Sequence, residues 1–225
     1  MSLQYEALQR FIGKPARDTY RRYIGYVVGV TLDPDGQLHS VGVDRGGSFE
    51  EFSRAQIIVE GDTLILVPSW KIEAENFKKD NDLTQRRFRA LDELLKSQEI
   101  PSHVYEELCQ QYKDSLTKLE EAHKNLIESL NRKISDLEHH VKNLERFLGH
   151  LKVQHKTGEL GDETYKLASD YLISVINSTI NEKRDIEATL NSLTVPQNQE
   201  YPKLEVKEER SPAEPLVVRL QTDEE

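Results

Sequence analysis

Two groups of residues have the types and spacing to do chemistry, and in both the chemistry is recognition. The first is the run Leu216-Val217-Val218-Arg219-Leu220, directly after Pro215. It is an apolar island of β-forming residues in an otherwise polar stretch. Pro196, Pro202, Pro212 and Pro215 punctuate residues 196–225, where four lysines and arginines face eight acids. Such a stretch cannot bury enough apolar surface to offset the entropy of ordering itself. A strand on an acidic tether can add to a partner's exposed sheet edge. Leu216, Val218 and Leu220 then share one face, while Val217 and Arg219 share the other. The plainer reading is a tail strand that docks back on its own domain.

The second group is basic. Lys78-Lys79, Arg86-Arg87 and Arg89 punctuate one helical stretch, and Arg21-Arg22 falls in a loop. Lys and Arg clustered on one face contact anionic lipid or nucleic-acid phosphates. The competing reading is a solvated helix face with salt bridges, which the balancing acids of residues 71–160 favour.

No catalytic constellation accompanies them, and no metal or cofactor is expected. The seven histidines form no i,i+4 metal pair, and Cys109, beside Leu108, reads as a small packing residue. Gly46-Gly47 is a turn without the strand–loop–helix context of a phosphate cradle. Trp70 reads as a plug between two parts of the chain.

The 225 residues allow one or two compact domains, or a small domain plus something extended. Charged residues make up 31% and aromatics 7%, a balance that suits long solvated helices. A net charge of −10 is a poor match for a general polyanion binder. One cysteine rules out an internal disulfide, and no apolar run approaches the roughly 18 residues of a membrane span. The expectation is a soluble, cytoplasmic protein that meets a membrane only at its surface.

The elements that must position these groups follow from the patterning. Residues 1–70 predict β structure. Tyr23–Leu32 and Leu38–Asp44 flank the turn Asp33-Pro34-Asp35-Gly36, and further strands fall at 49–52, 56–59 and 63–67. Leu8, Phe11, Ile12 and Ala16–Asp18 supply one or two short strands in front. Several short strands in so little chain predict a small closed or half-closed barrel.

Residues 71–195 predict helix, broken at two related corners. Glu99-Ile100-Pro101-Ser102 is echoed sixty residues later by Glu159-Leu160-Gly161-Asp162, with Tyr105 and Tyr165 three positions beyond. Ser102 and Asp162 read as N-caps, and Gly158 as a left-handed helix end. Three helices result, at about 71–97, 103–156 and 162–193. The middle one, about 80 Å long, matches the other two combined. The first therefore folds antiparallel along its front half and the third along its rear half. Its apolar seam, from Leu116 to Leu151, is heptad-like except for a run of four-residue steps between Ala122 and Ile134. Such a stutter locally unwinds a supercoil, here where the partner helix is expected to change. The fold class is thus α+β and multidomain: a β-barrel at 1–70, an antiparallel three-helix coiled-coil rod at 71–195, and a disordered acidic tail at 196–225 with a binding strand at 214–221. The thin core of such a rod favours self-assembly into dimers or filaments.

These segments together resemble the CdvA family of archaeal cell-division proteins. Phe11–Asp18, Ile24–Val30 and Ile57–Pro68 are similar to the PRC-barrel pattern. Arg89–Pro101 and the corner Gly158–Tyr165 resemble the helical part of the family. Pro215 to Leu220 resembles its carboxy-terminal ESCRT-III-binding motif, with Val217 where the family carries proline. The resemblance implies a non-enzymatic scaffold that polymerises and lies peripherally at the inner face of the membrane at the division site. It implies recruitment of the ESCRT-III-like CdvB, whose winged-helix domain would take the tail strand. Two other expectations stay open: a DNA-binding coiled-coil scaffold that uses Arg86, Arg87 and Arg89, and a PRC-barrel protein of ribosome or RNA maturation.

Overall fold

The computed structural model describes residues 8–194. The tail residues 195–225, with the expected strand at 214–221, lie outside them. Six strands come first: β1 (Pro15–Asp18), β2 (Tyr23–Leu32), β3 (Leu38–Asp44), β4 (Phe49–Ser53), β5 (Ile57–Glu60) and β6 (Thr63–Leu66). They form one sheet in the order β4-β3-β2-β1-β6-β5, antiparallel throughout except for the parallel pair β1–β6. Alternation turns Ala16, Val27, Val41, Val43, Leu64 and Leu66 to one face, where Leu8 and Phe11 complete the core.

Two expectations need correction here. The sheet is not closed: no ladder joins β4 to β5. A 3-10 turn, Arg54–Gln56, carries the chain from one edge strand to the other, and the Gln56 carbonyl accepts the Val67 N–H at 2.7 Å. The closing position is thus occupied by a turn rather than a strand pair. Nor do Leu8 and Phe11 belong to a strand. They sit in a helical turn in which the Phe11 N–H donates to the Leu8 carbonyl, leaving both side chains free to cover the core.

Three helices follow: α1 (Ser69–Lys96), α2 (Ser102–Lys156) and α3 (Asp162–Thr194). α1 lies along the front of α2, where Phe88 and Leu91 bury against Tyr105 and Cys109. α3 lies along the rear, where the Lys183 ammonium meets the Glu138 carboxylate at 2.7 Å. The two halves overlap at a node of Trp70, Ala74, Leu126, Leu130, Leu137 and Ile186. This node coincides with the Ala122–Ile134 stutter, so the change of packing period falls where α2 changes partner.

The two corners share one backbone design. Gln98 and Gly158 both take left-handed φ, 59° and 78°. Glu99 N–H reaches back to the Leu94 carbonyl at 3.0 Å, and Glu159 N–H to that of Gln154 at 2.9 Å. These six-to-one bonds satisfy orphan carbonyls at each helix end. The Ser97 and Thr157 hydroxyls bond Glu99 and Glu159, both at 2.7 Å. The expected N-caps differ, however. Pro101 holds the cap position of α2 and Ser102 is already helical, without a side-chain cap. Asp162 instead accepts from His155 Nε2 at 2.6 Å, across the corner. Its carboxylate bridges two helices rather than closing one.

Candidate interaction surfaces

The predicted basic residues divide into two kinds. Lys78, Lys79, Arg86, Arg87 and Arg89 are exposed on α1. Lys78, Asp82, Arg86 and Arg89 stand in one row at helical spacing, and Arg86 pairs with Asp82 at 2.8 Å. Asp82 therefore interrupts the positive row. Among the described residues no ion pair is made by Lys78, Lys79, Arg87 or Arg89. At helical spacing Lys78 and Arg89 share one side of α1, while Lys79 and Arg87 stand further round the exposed surface, so the cations are spread among acids rather than gathered on one line.

Arg21 and Arg22 part company. Arg21, with φ 66°, is exposed. Arg22 turns inward. Its Nε meets Asp18 Oδ2 at 2.6 Å and its second nitrogen meets Glu182 Oε2 at 2.5 Å. Lys133 Nζ reaches the other Glu182 oxygen at 3.3 Å. Glu182, in α3, is 2% exposed and so depends on these two cations. Burial alone would lower the Arg22 pKa; Glu182 and Asp18 outweigh it and raise the value. Arg22 is committed to this junction and unavailable as a phosphate contact.

A second link runs beside it. Tyr20 donates its hydroxyl to Asp185 Oδ2 at 3.0 Å, and Lys71 meets the same oxygen at 2.8 Å. Burial, then the Asp185 hydrogen bond, pushes the Tyr20 hydroxyl far above its ordinary value. The Lys71 hydrogen bond holds Asp185 below the usual carboxylate range. Trp70 fills the space between, 5% exposed, as its place at the boundary suggested. The β1–β2 turn is thus clamped to α1, α2 and α3 at one place.

Sequence reasoning missed Glu182, Asp185, Lys133 and Tyr20. One signal was present. Thr179, Glu182 and Ile186 follow the spacing of the α3 seam, so Glu182 is a carboxylate on an apolar stripe, and a buried charge requires a partner. Nothing local marks the partner as Arg22, 160 positions away.

Among the described residues there is no cluster of three or more metal-capable side chains, and no helix is long and apolar enough to cross a membrane. Cys109 is 3% exposed within the α1–α2 core, consistent with a packing role.

Known proteins place this architecture. The family model of the CdvA-like coiled-coil domain matches residues 69–215, from the first turn of α1 to the edge of the tail motif. The chain is 29% identical over 193 residues to Cell division protein A of Sulfolobus acidocaldarius, covering 86% of this chain and 81% of that protein. An alignment of 193 residues is longer than the 157 from Ser69 to Glu225, so it extends beyond the rod into the region of the sheet. With its sheet, its two-corner rod and the matched span, the chain belongs to the CdvA-like coiled-coil family.

Proposed function

We propose that the chain is a non-enzymatic, filament-forming scaffold of archaeal cell division. It associates with the membrane at the division site and recruits the ESCRT-III-like protein CdvB. The observation that carries the reading is the extent of the likeness to Cell division protein A, which covers 86% of this chain and so reaches beyond the rod. A long rod of three helices with charged flanks suits a scaffold.

Recruitment is assigned to Pro215–Leu220. The strand would pair with a sheet edge of the CdvB winged-helix domain, with backbone bonds supplying affinity and Leu216, Val218 and Leu220 fixing register. Many weak tails on one filament would reach high avidity. The exposed cations Lys78, Lys79, Arg87 and Arg89 are assigned to anionic headgroups. Nucleic-acid phosphate is the competing source, and DNA binding lost steeply with salt would favour it.

The test is calorimetry of the full chain against the CdvB winged-helix domain. The double substitution Val218→Asp with Leu220→Asp is expected to lower affinity at least tenfold. Unchanged binding would remove the tail from the recruiting role.

A further inference from the structure

The outer face of the sheet carries an apolar patch that the fold leaves uncovered. Phe49 is 67% exposed, Tyr23 56%, Tyr26 52% and Val28 50%. They form one surface. The rings of Tyr23 and Tyr26 pack edge to face at 5.6 Å. Tyr26 and Phe49 both stand opposite Asp44, on either side of β3. Phe49 leans over Gly42, where a Cβ would lie 2.7 Å from its ring and 3.6 Å from Val28 Cγ2. The missing side chain is thus what lets the Phe49 ring approach the backbone of Gly42 beside Val28. Aromatic residues at the centre of a polar rim are the usual anatomy of an interface. The rod does not cover this patch. It meets the sheet through Tyr20, Arg22 and Trp70, none of which belongs to the patch.

The rim is charged with opposite signs at opposite ends. Arg17 stands on β1, opposite Tyr23. Glu51 stands on β4, opposite Gly42. Both are exposed, and among the described residues neither makes an ion pair. Among the described residues Arg17 donates to the Arg21 carbonyl, at 3.1 Å, and Glu51 accepts from the Ser40 hydroxyl. β1 and β4 are three strand spacings apart, about 14 Å. A two-fold axis through the middle of the patch exchanges these ends and brings Arg17 of each copy against Glu51 of the other.

We propose that this face pairs two copies of the chain around a two-fold axis, with Tyr26, Val28 and Phe49 at its centre and two reciprocal Arg17–Glu51 ion pairs at its ends. A surface that carries both its own cation and its own anion is complementary to itself. A bilayer of anionic lipid is the poorer occupant, because Asp44 and Glu51 border the aromatic residues. The inference rests on the reading of the chain as self-assembling and names one contact of that assembly.

The test uses the full chain and a covalent readout that filaments do not obscure. Val28 lies near the axis, and Cys109, the chain's own cysteine, is buried. Val28→Cys treated with a short bis-maleimide is expected to give a covalent dimer on a denaturing gel. Adding Arg17→Glu, or Glu51→Arg, is expected to lower the yield at least tenfold. Mixing those two variants is expected to restore it, since each supplies the charge the other lacks. Absence of a covalent dimer, equal yield in all charge variants, or no restoration on mixing would overturn the proposal. So would a Tyr26→Ser, Phe49→Ser chain that loses binding to anionic vesicles but still cross-links through Val28→Cys as before. Pelleting is followed in parallel: a chain that cross-links yet never pellets sinks the filament reading and leaves the two-fold pair standing.

Discussion

Glu182 is the residue on which the sheet–rod junction turns. Its carboxylate is buried among helices and reached from one side by Arg22 and from the other by Lys133. Removing one member of a buried ion pair leaves its partner desolvated and uncompensated, at a cost of about 3–5 kcal/mol. Lys133 is partly exposed and can turn to water, whereas Arg22 is held by Asp18. Glu182→Ala is therefore expected near the lower limit, about 3 kcal/mol, read as a fall in midpoint in urea unfolding. Replacing Arg22 and Glu182 together by Met should cost less than Glu182→Ala, since no stranded charge remains. The same junction shows where sequence reading stops. Arg22 has the look of a phosphate contact because its partner is 160 positions distant, and charge on a loop carries no mark of its destination.

At the scale of elements, the corners are the sharpest case. Both put one residue in the left-handed region, but only one uses glycine. An ordinary side chain there costs about 1–2 kcal/mol. Gln98→Gly should therefore stabilise the rod and Gly158→Ala destabilise it, each by about 1 kcal/mol, in thermal or chemical unfolding. The corners were legible because a breaker, a cap-type residue and a tyrosine recur at a fixed offset. Their capping chemistry was not, since Asp162 is drawn to His155 by a ring that returns from the preceding helix. The strands were legible from alternation and turn residues. The open edge between β4 and β5 was not, because closure depends on whether the last connection pairs or turns, and three residues, Arg54–Gln56, decide it. The α1 seam was also obscure: its buried positions include Thr84 and Gln85. Polar residues at seam spacing hide a packing stripe that geometry makes plain.

At the scale of the molecule, one node gathers the parts. The β1–β2 turn, the start of α1, the middle of α2 and the later part of α3 meet around Trp70 and the two carboxylates Glu182 and Asp185. Asp185 titrates below an ordinary aspartate because Lys71 favours its charged form. A carboxyl with a depressed folded pKa contributes stability that is complete above the unfolded value, near about 4, and is lost as pH falls through the folded value. Acid should thus loosen the sheet from the rod. Melting temperature followed from pH 7 to pH 3 is expected to fall less steeply in Lys71→Met than in the native chain, once each is referred to its value at pH 7. The node also governs how load passes through the molecule. The chain leaves α3 at Thr194, one residue after Leu193, whose carbonyl is bonded to His123 at 3.2 Å and whose side chain packs on the Trp70 cluster. A pull applied beyond Thr194 therefore enters where sheet and helices are tied together. Tension drawn through the tail would enter the molecule at this node, and the two helical corners at the far ends of the rod would lie off its shortest path.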